Sequence, residues 1–122
     1  SISDEELDSD VVIPYIDAYQ IHDKGMEWAI KQALDTVKNE KVYITLDIDG
    51  IDPAFAPGTG TPEPFGLHPL DVKKLINMAG DRLVGFDVVE VAPPFDPSGI
   101  TSMLAARYIK EVIAVYGKNL KC

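Results

Sequence analysis

Apolar residues follow two different spacings along the chain, and these spacings predict an alternation of strands and helices. The runs VVIPYIDAYQI (11–21), VYITLDI (42–48) and LVGFDVVEVA (83–92) are rich in β-branched residues, which predicts strands, although Pro14 weakens the first. We expect 42–48 to be buried on both faces of a sheet and 83–92 to be a second buried strand.

Helical spacing of apolar residues appears in three other segments. One covers 23–39 with Asp23 as its N-cap, a second opens at Pro69, and a third covers about 101–116. Four Pro and four Gly between 50 and 68 predict a long loop. The resulting order is typical of an α/β fold with three layers (α/β/α) and a mostly parallel sheet.

Composition and charge narrow the classes of partner. The 122 residues suit one domain, and 20 acidic against 11 basic residues give a net charge of −9. This charge argues against a nucleic acid or an anionic membrane as partner, and it suits divalent cations, a cationic small molecule or simple solubility. No segment resembles a signal peptide or a membrane helix, and Cys122 is the only cysteine, so we expect a reducing, cytoplasmic location.

Acidic residues mark the ends of the two later strands. Asp47 and Asp49 are two residues apart at the end of the strand predicted for 42–48. We therefore expect their side chains to project to the same side of that strand. Two close carboxylates raise each other's pKa, and a divalent cation such as Mg, Ca or Mn resolves the conflict. A bare D-x-D also occurs at solvated strand ends, and both interpretations stay open at this point.

Other acids and the two histidines have separate interpretations. Asp52 precedes a proline and is expected to organise the loop. Glu90 is either a salt-bridged strand-end residue or a carboxylate that faces a cationic ligand in the same crevice. Asp87 is expected to be hydrogen-bonded and structural. His22 is interpreted as a helix-start residue and His68 as a loop residue, both outside the chemistry.

The stretch TLDIDGIDPAFAPGTGTPEP (45–64), together with VGFDVVEVAP and ITSMLAA downstream, resembles the ureohydrolase (arginase/agmatinase) family. The first stretch is similar to that family's S-x-D-x-D-x-x-D-P signature, and AFAPGTGTPEP looks more like agmatinases than arginases. The ISDEEL opening also resembles family sequence, so the resemblance covers nearly the whole chain. Thr45 stands where the signature has Ser, Gly50 replaces a larger apolar residue, and Phe65 stands where many relatives have Gly.

The resemblance implies an arginase-like fold and a binuclear manganese (Mn²⁺) centre that hydrolyses a guanidinium compound, such as agmatine, to urea and an amine, here putrescine. It implies that Asp47 bridges both metals, that Asp49 binds one of them, and that Glu90 is the catalytic residue that binds the guanidinium group. It also implies a homo-trimer or hexamer.

The G-G-D-H-S and D-A-H-x-D signatures of the family, which supply its remaining metal ligands, do not occur in this sequence. We therefore expect the chain to be the carboxyl-terminal part of a ureohydrolase domain, holding half a site and an open sheet edge that the amino-terminal half covers. The alternatives are a non-catalytic α/β module for folding or subunit contact and a related amidine hydrolase such as guanidinobutyrase or arginase. A Mg-dependent phosphoryl-transfer site is disfavoured, because no glycine-rich phosphate loop follows a strand.

Overall fold

The computed structural model describes residues 14–38 and 40–119, and the bounds of its helices and strands follow the sequence pattern closely from residue 42 onward. The elements in chain order are α1 (Ala18–Lys24), α2 (Met26–Thr36), β1 (Val42–Asp47), α3 (Pro69–Ala79), β2 (Leu83–Val89) and α4 (Ile100–Asn119). Within these residues, no helix has both the length and the apolar character needed to cross a membrane.

The sheet of the described residues has two strands, and they are parallel. Ile44 pairs with Phe86, Thr45 with Asp87, and Asp47 with Val89. Since parallel strands end at the same edge of a sheet, the loops that follow β1 and β2 lie next to each other, and the Ala92 N–H donates a 2.8 Å hydrogen bond to the carbonyl of Gly58. The prediction of an α/β fold with a parallel sheet is confirmed.

The core lies between one face of the sheet and helices α3 and α4. It contains Ile44, Leu46, Leu83, Val72, Ile76, Ala105, Tyr108 and Val112. The opposite face carries Tyr43 and Thr45, which are exposed in the part of the chain that the structure describes. The expectation that 42–48 is buried on both faces is therefore wrong there, because the helices that contact this strand all cover the same side. The second strand is likewise only partly buried, and Val84 and Val89 are exposed.

The strand predicted for 11–21 is wrong over residues 14–21, and residues 11–13 lie outside the described part. Residues 14–17 have no regular structure and α1 follows. Asp17 caps this helix: its Oδ1 accepts from the Gln20 N–H at 2.7 Å, and the Gln20 side chain accepts from the Asp17 N–H at 3.1 Å. This reciprocal capping box stabilises a helix start that β-branched composition alone did not indicate.

The predicted helix at 23–39 is split. Asp23 lies inside α1, and Gly25, with a φ of +90°, ends α1 and precedes α2. The prediction of Asp23 as N-cap is therefore wrong, because a left-handed φ that glycine readily adopts separates two helices at Gly25.

The start of α4 is tied to the long loop by a buried hydrogen-bond network around Asp96. The Asp96 carboxylate accepts from the Thr101 N–H (3.1 Å), the Ser102 N–H (2.9 Å) and the Ser102 hydroxyl (2.7 Å). The Thr101 hydroxyl oxygen, itself buried, accepts from the Gly58 N–H at 2.8 Å. Helix α4 thus holds the loop at the point where the loop turns toward the strand ends.

Gly58 is confined by this network, which predicts a stability difference between two neighbouring glycines. A Cβ atom on Gly58 would lie 2.5 Å from Asp96 Cβ and 2.9 Å from Thr101 Oγ1, whereas a Cβ on Gly60 meets nothing within 4 Å. We expect Gly58→Ala to lower the free energy of unfolding by about 1–3 kcal/mol, since overpacking a tight site costs that much. Gly60→Ala is the matched control and should change it far less. Urea unfolding of the two variants measures the difference, and equal values would contradict the close packing at Gly58.

Asp96 also predicts a dependence of stability on pH. The Ser102 N–H foremost, then the Ser102 hydroxyl and the Thr101 N–H, hold the pKa of Asp96 below its ordinary 3.8, although burial opposes them. A carboxyl with a lower pKa in the folded state stabilises the fold above its unfolded pKa, and that stabilisation is lost as pH falls through its folded pKa. We expect the free energy of unfolding to fall as pH drops below 3.8, and Asp96→Asn to reduce that fall. Urea titrations at a series of pH values test this, and an unchanged pH dependence in the variant would contradict it.

Candidate metal and substrate site

The three acids singled out in the sequence lie at the same edge of the sheet. Asp47 is the last residue of β1, Asp49 lies in the 3₁₀ turn Ile48–Gly50 that follows, and Glu90 is the first residue after β2. Asp47 pairs in register with Val89, so Glu90 comes one residue beyond the partner of Asp47. The three acids therefore lie at the carboxyl ends of the parallel strands, the edge of such a sheet where ligands bind.

Asp47 and Asp49 come together through a turn and not through strand alternation. The Asp49 N–H donates to Asp47 Oδ1 at 3.2 Å, which makes Asp47 the cap of the turn. The Thr61 hydroxyl donates to Asp49 Oδ2 at 2.6 Å. The two aspartates are therefore linked by a turn, and not by the strand alternation that the sequence predicted.

Repulsion among the acids is visible in the pKa of Asp47. Burial raises that pKa most, and the neighbouring carboxyls of Asp49 and Glu90 raise it further, while the N–H of Asp49 opposes the rise. Every ion pair between described residues involves Glu111, with Lys73 or Arg107. In the part of the chain that the structure covers, the three acids thus have no protein cation beside them.

Glu90 has an unusual backbone. Its φ is +63°, in the left-handed region that non-glycine residues rarely adopt, and its side chain is exposed. Such conformations cost free energy and cluster at functional sites, where the surrounding structure enforces them. Here the strained residue is the first after the strand, beside Asp47.

The carboxylates suit a hard divalent cation as part of a ligand set. Mn²⁺ and Mg²⁺ prefer oxygen donors, and two adjacent carboxylates with no protein cation beside them supply such donors. Residues 14–38 and 40–119 contain no group of three or more His, Cys, Asp or Glu side chains arranged to hold a metal. The two aspartates therefore fit a manganese ion, with further ligands required from outside the described residues.

Asp52 organises the loop, as predicted. Its Oδ1 accepts from the Ala54 N–H at 2.9 Å, and its Oδ2 accepts from the Gly66 N–H at 3.2 Å. The Ala54 N–H is the main reason that the pKa of Asp52 is lowered. The loop ends are further joined because the Leu67 N–H donates to the carbonyl of Gly50 at 2.8 Å.

Both histidines have contacts at this loop. His22 lies in the last turn of α1, so its interpretation as a helix-start residue is wrong, and its Nε2 lies 3.1 Å from the carbonyl oxygen of Phe65. His68 is the N-cap of α3, and its Nδ1 accepts from the Leu70 N–H at 3.1 Å. Phe65 is exposed and has a φ of +67°, a backbone conformation that glycine adopts more readily than other residues.

Asp87 is a hydrogen-bonded structural residue, as predicted. Its carboxylate accepts from the Tyr43 hydroxyl at 2.8 Å and from the Thr45 hydroxyl at 2.7 Å. The hydrogen bond to Asp87 foremost raises the pKa of Tyr43. This contact fixes Thr45, two residues before Asp47, across the strand pair.

Thr61 was missed in the sequence, although its hydroxyl forms the shortest contact to the acids. Thr61 lies in the GTGTP stretch, three residues after Gly58 and next to Gly60, but nothing in its type or spacing indicated a partner. The partner lies 12 residues away along the chain, and only the folded loop brings the two together.

Comparison with known proteins agrees with the geometry. The Arginase family profile matches residues 1–115. The agmatinase of Escherichia coli O7:K1 is 44% identical over 111 residues, covering 90% of this chain and 36% of its own length. The crystal structure of the agmatine ureohydrolase of Thermoplasma volcanium superposes with a TM-score of 0.88 at 40% identity, over 99% of this chain and 42% of that one. The proclavaminate amidino hydrolase of Streptomyces clavuligerus superposes with a TM-score of 0.76 at 42% identity, over 83% and 35%.

The chain thus spans about 36–42% of the length of the first two relatives. Sequence profile, identity and superposition all agree over nearly all of its residues, including both strand ends that carry the acids. The chain belongs to the arginase family.

Proposed function

We propose that the full-length protein containing these residues hydrolyses agmatine to putrescine and urea. The observation that carries the proposal is the convergence of Asp47, Asp49 and Glu90 at one sheet edge without a described cation beside them. Excess negative charge of this kind favours a site for cations, and both a metal ion and a guanidinium group are cations. The similarity to agmatinases supports the choice of agmatine.

Asp47 and Asp49 are the residues that would hold Mn²⁺. When bound, a pair of such ions supplies Lewis-acid activation of a water molecule for attack on the guanidinium carbon. Asp47, at the end of the strand, would serve both ions, and Asp49, on the turn, would serve one.

Glu90 binds and orients the substrate. Its carboxylate faces a planar cation with N–H donors, which a carboxylate recognises through charge-assisted hydrogen bonds. In the overall reaction one C–N bond of the guanidinium group is replaced by a C–O bond from water, and the amine leaves with a proton. Glu90 holds the guanidinium group so that its carbon is positioned for this attack.

The proposed site needs ligands beyond these residues. A metal takes about four to six donors, and two carboxylates with Glu90 supply too few for a pair of ions. We propose that other parts of an arginase-family domain supply the rest and also cover the exposed sheet face at Tyr43 and Thr45. On this proposal the 122-residue chain alone binds Mn²⁺ weakly, releases no urea and associates through its open sheet edge, and the complete enzyme is a trimer or hexamer.

A second candidate is a related amidine hydrolase with another substrate. The similarity to a proclavaminate amidino hydrolase, at an identity close to that of the agmatine ureohydrolase, favours keeping this candidate. Urea release by the full-length protein with agmatine, arginine and guanidinobutyrate separates the two. We expect the highest kcat/KM with agmatine; a preference for another guanidinium compound would support the second candidate, and no urea from agmatine would contradict the first.

The two aspartates should differ in their effect on metal content. We expect Asp47→Ala to lose more manganese than Asp49→Ala in the full-length protein, because a carboxylate shared by two ions affects both. Metal analysis of the purified variants measures this. Equal loss in the two variants, or no loss in either, would remove the bridging role from Asp47.

Glu90 should affect turnover and not metal content. We expect Glu90→Gln to retain manganese and to lose at least tenfold in kcat/KM, since truncating one partner of a desolvated charge pair costs roughly 2–5 kcal/mol. Steady-state kinetics with agmatine, alongside metal analysis, tests this. Near-normal turnover by the variant would show that the Glu90 carboxylate does not bind the substrate.

A further inference from the structure

The loop after β1 places a hydroxyl directly on a proposed metal ligand. We infer that Thr61 is a positioning residue, whose hydroxyl holds one oxygen of Asp49 so that the other is presented to a cation. This inference rests on the proposed function, because it takes Asp49 as a manganese ligand.

Among the described residues, the hydrogen bonds leave one oxygen of each aspartate without a donor. Asp49 Oδ2 accepts from the Thr61 hydroxyl at 2.6 Å, and Asp47 Oδ1 accepts from the Asp49 N–H at 3.2 Å. The remaining oxygens, Asp47 Oδ2 and Asp49 Oδ1, accept no hydrogen bond from a described donor. The hydrogen bond from the Asp49 N–H holds the Asp47 carboxylate beside the turn that carries Asp49, so these two remaining oxygens lie in one region.

The short distance identifies the Thr61 contact as charge-assisted. An O–H donor to a carboxylate forms bonds of about 2.5–2.7 Å, which are stronger than those between neutral groups. The contact restrains the rotation of the Asp49 carboxylate. Residues that orient a metal ligand in this way commonly set metal affinity by about 10–100-fold.

The loop that carries Thr61 is anchored on both sides, so its hydroxyl is held in place although the residue itself is exposed. On one side, Gly58 donates its N–H to the buried hydroxyl of Thr101 and accepts from the Ala92 N–H, each at 2.8 Å. On the other side, the Leu67 N–H donates a hydrogen bond to the carbonyl of Gly50. The backbone of 58–67 thus aims Thr61 at the turn that bears Asp49.

The test uses three variants of the full-length protein. Thr61→Val removes the hydroxyl at nearly constant volume, Thr61→Ser keeps it, and Thr36→Val is the matched control. The Thr36 hydroxyl is exposed on α2 and donates only to the Gln32 carbonyl at 2.9 Å, among described residues. Equilibrium dialysis with metal analysis gives the Mn²⁺ dissociation constants, and thermal unfolding of the metal-free forms reports on stability.

We expect Thr61→Val to weaken the binding of one manganese ion about 10–100-fold, with Thr61→Ser within a few-fold of the parent and Thr36→Val unchanged. The metal-free Thr61→Val variant should unfold at nearly the parent temperature. Parent-like Mn²⁺ affinity in Thr61→Val would overturn the inference. A loss that Thr61→Ser does not rescue, accompanied by an equal loss of metal-free stability, would also overturn it, because that pattern indicates a purely structural residue.

Asp49→Ala, measured in parallel, distinguishes a failure of the inference about Thr61 from a failure of the proposed function. If Asp49→Ala loses manganese and Thr61→Val does not, the positioning role is wrong and the proposed function stands. If Asp49→Ala retains both ions, then Asp49 is no ligand, and the proposed metal centre and the role of Thr61 fail together.

Discussion

Repulsion between carboxylates at the end of a strand that is buried on one face is the constraint that organises this part of the molecule. Asp47, Asp49 and Glu90 are held near each other by elements whose cores lie elsewhere: the strands bury Ile44 and Leu46 against α3 and α4, and the acids sit at the strand ends. Folding energy from the core thus holds together charges that would separate in a free peptide. A structure that maintains such a cost favours a ligand that removes it.

Hydrogen bonds in the loop between β1 and α3 hold the carboxylates near each other despite their repulsion. Asp52 binds both ends of the loop, Thr101 and Asp96 hold its middle through Gly58, and Thr61 contacts Asp49. Polar side chains fix the loop together with Ile51 and Ala56, which are buried in the core cluster. The positive φ of Glu90 belongs to the same arrangement, because a strained backbone persists only where neighbouring contacts enforce it.

Sequence patterns predicted the second half of the fold well and its beginning poorly. β1, α3, β2 and α4 have strong apolar periodicity and clear boundary residues such as Pro69, so composition and spacing were sufficient. Residues 14–21 have strand-like composition, yet the capping box of Asp17 and Gln20 starts a helix there. Exposure of Tyr43 was not predictable, because it depends on which side of the sheet the helices pack against.

The residues of the candidate site were likewise predictable only in part. Asp47, Asp49 and Glu90 could be found because strand ends and a long motif mark them, and Asp52 because it precedes a proline. Thr61 could not, since its partner is set by the path of a loop with no regular structure. Residues that a local motif marks can be predicted from the sequence, whereas contacts across an irregular loop depend on how the whole loop folds.

The most direct test of whether the strand-end carboxylates bind metal ions is a crystal structure of the full-length protein grown with Mn²⁺. Anomalous scattering recorded at the manganese edge locates the ions. We predict two anomalous peaks about 3.5–4 Å apart, with the Asp47 carboxylate contacting both and the Asp49 carboxylate contacting one. The absence of any peak within contact of Asp47 would contradict the proposal that these charges are held together for metal ions.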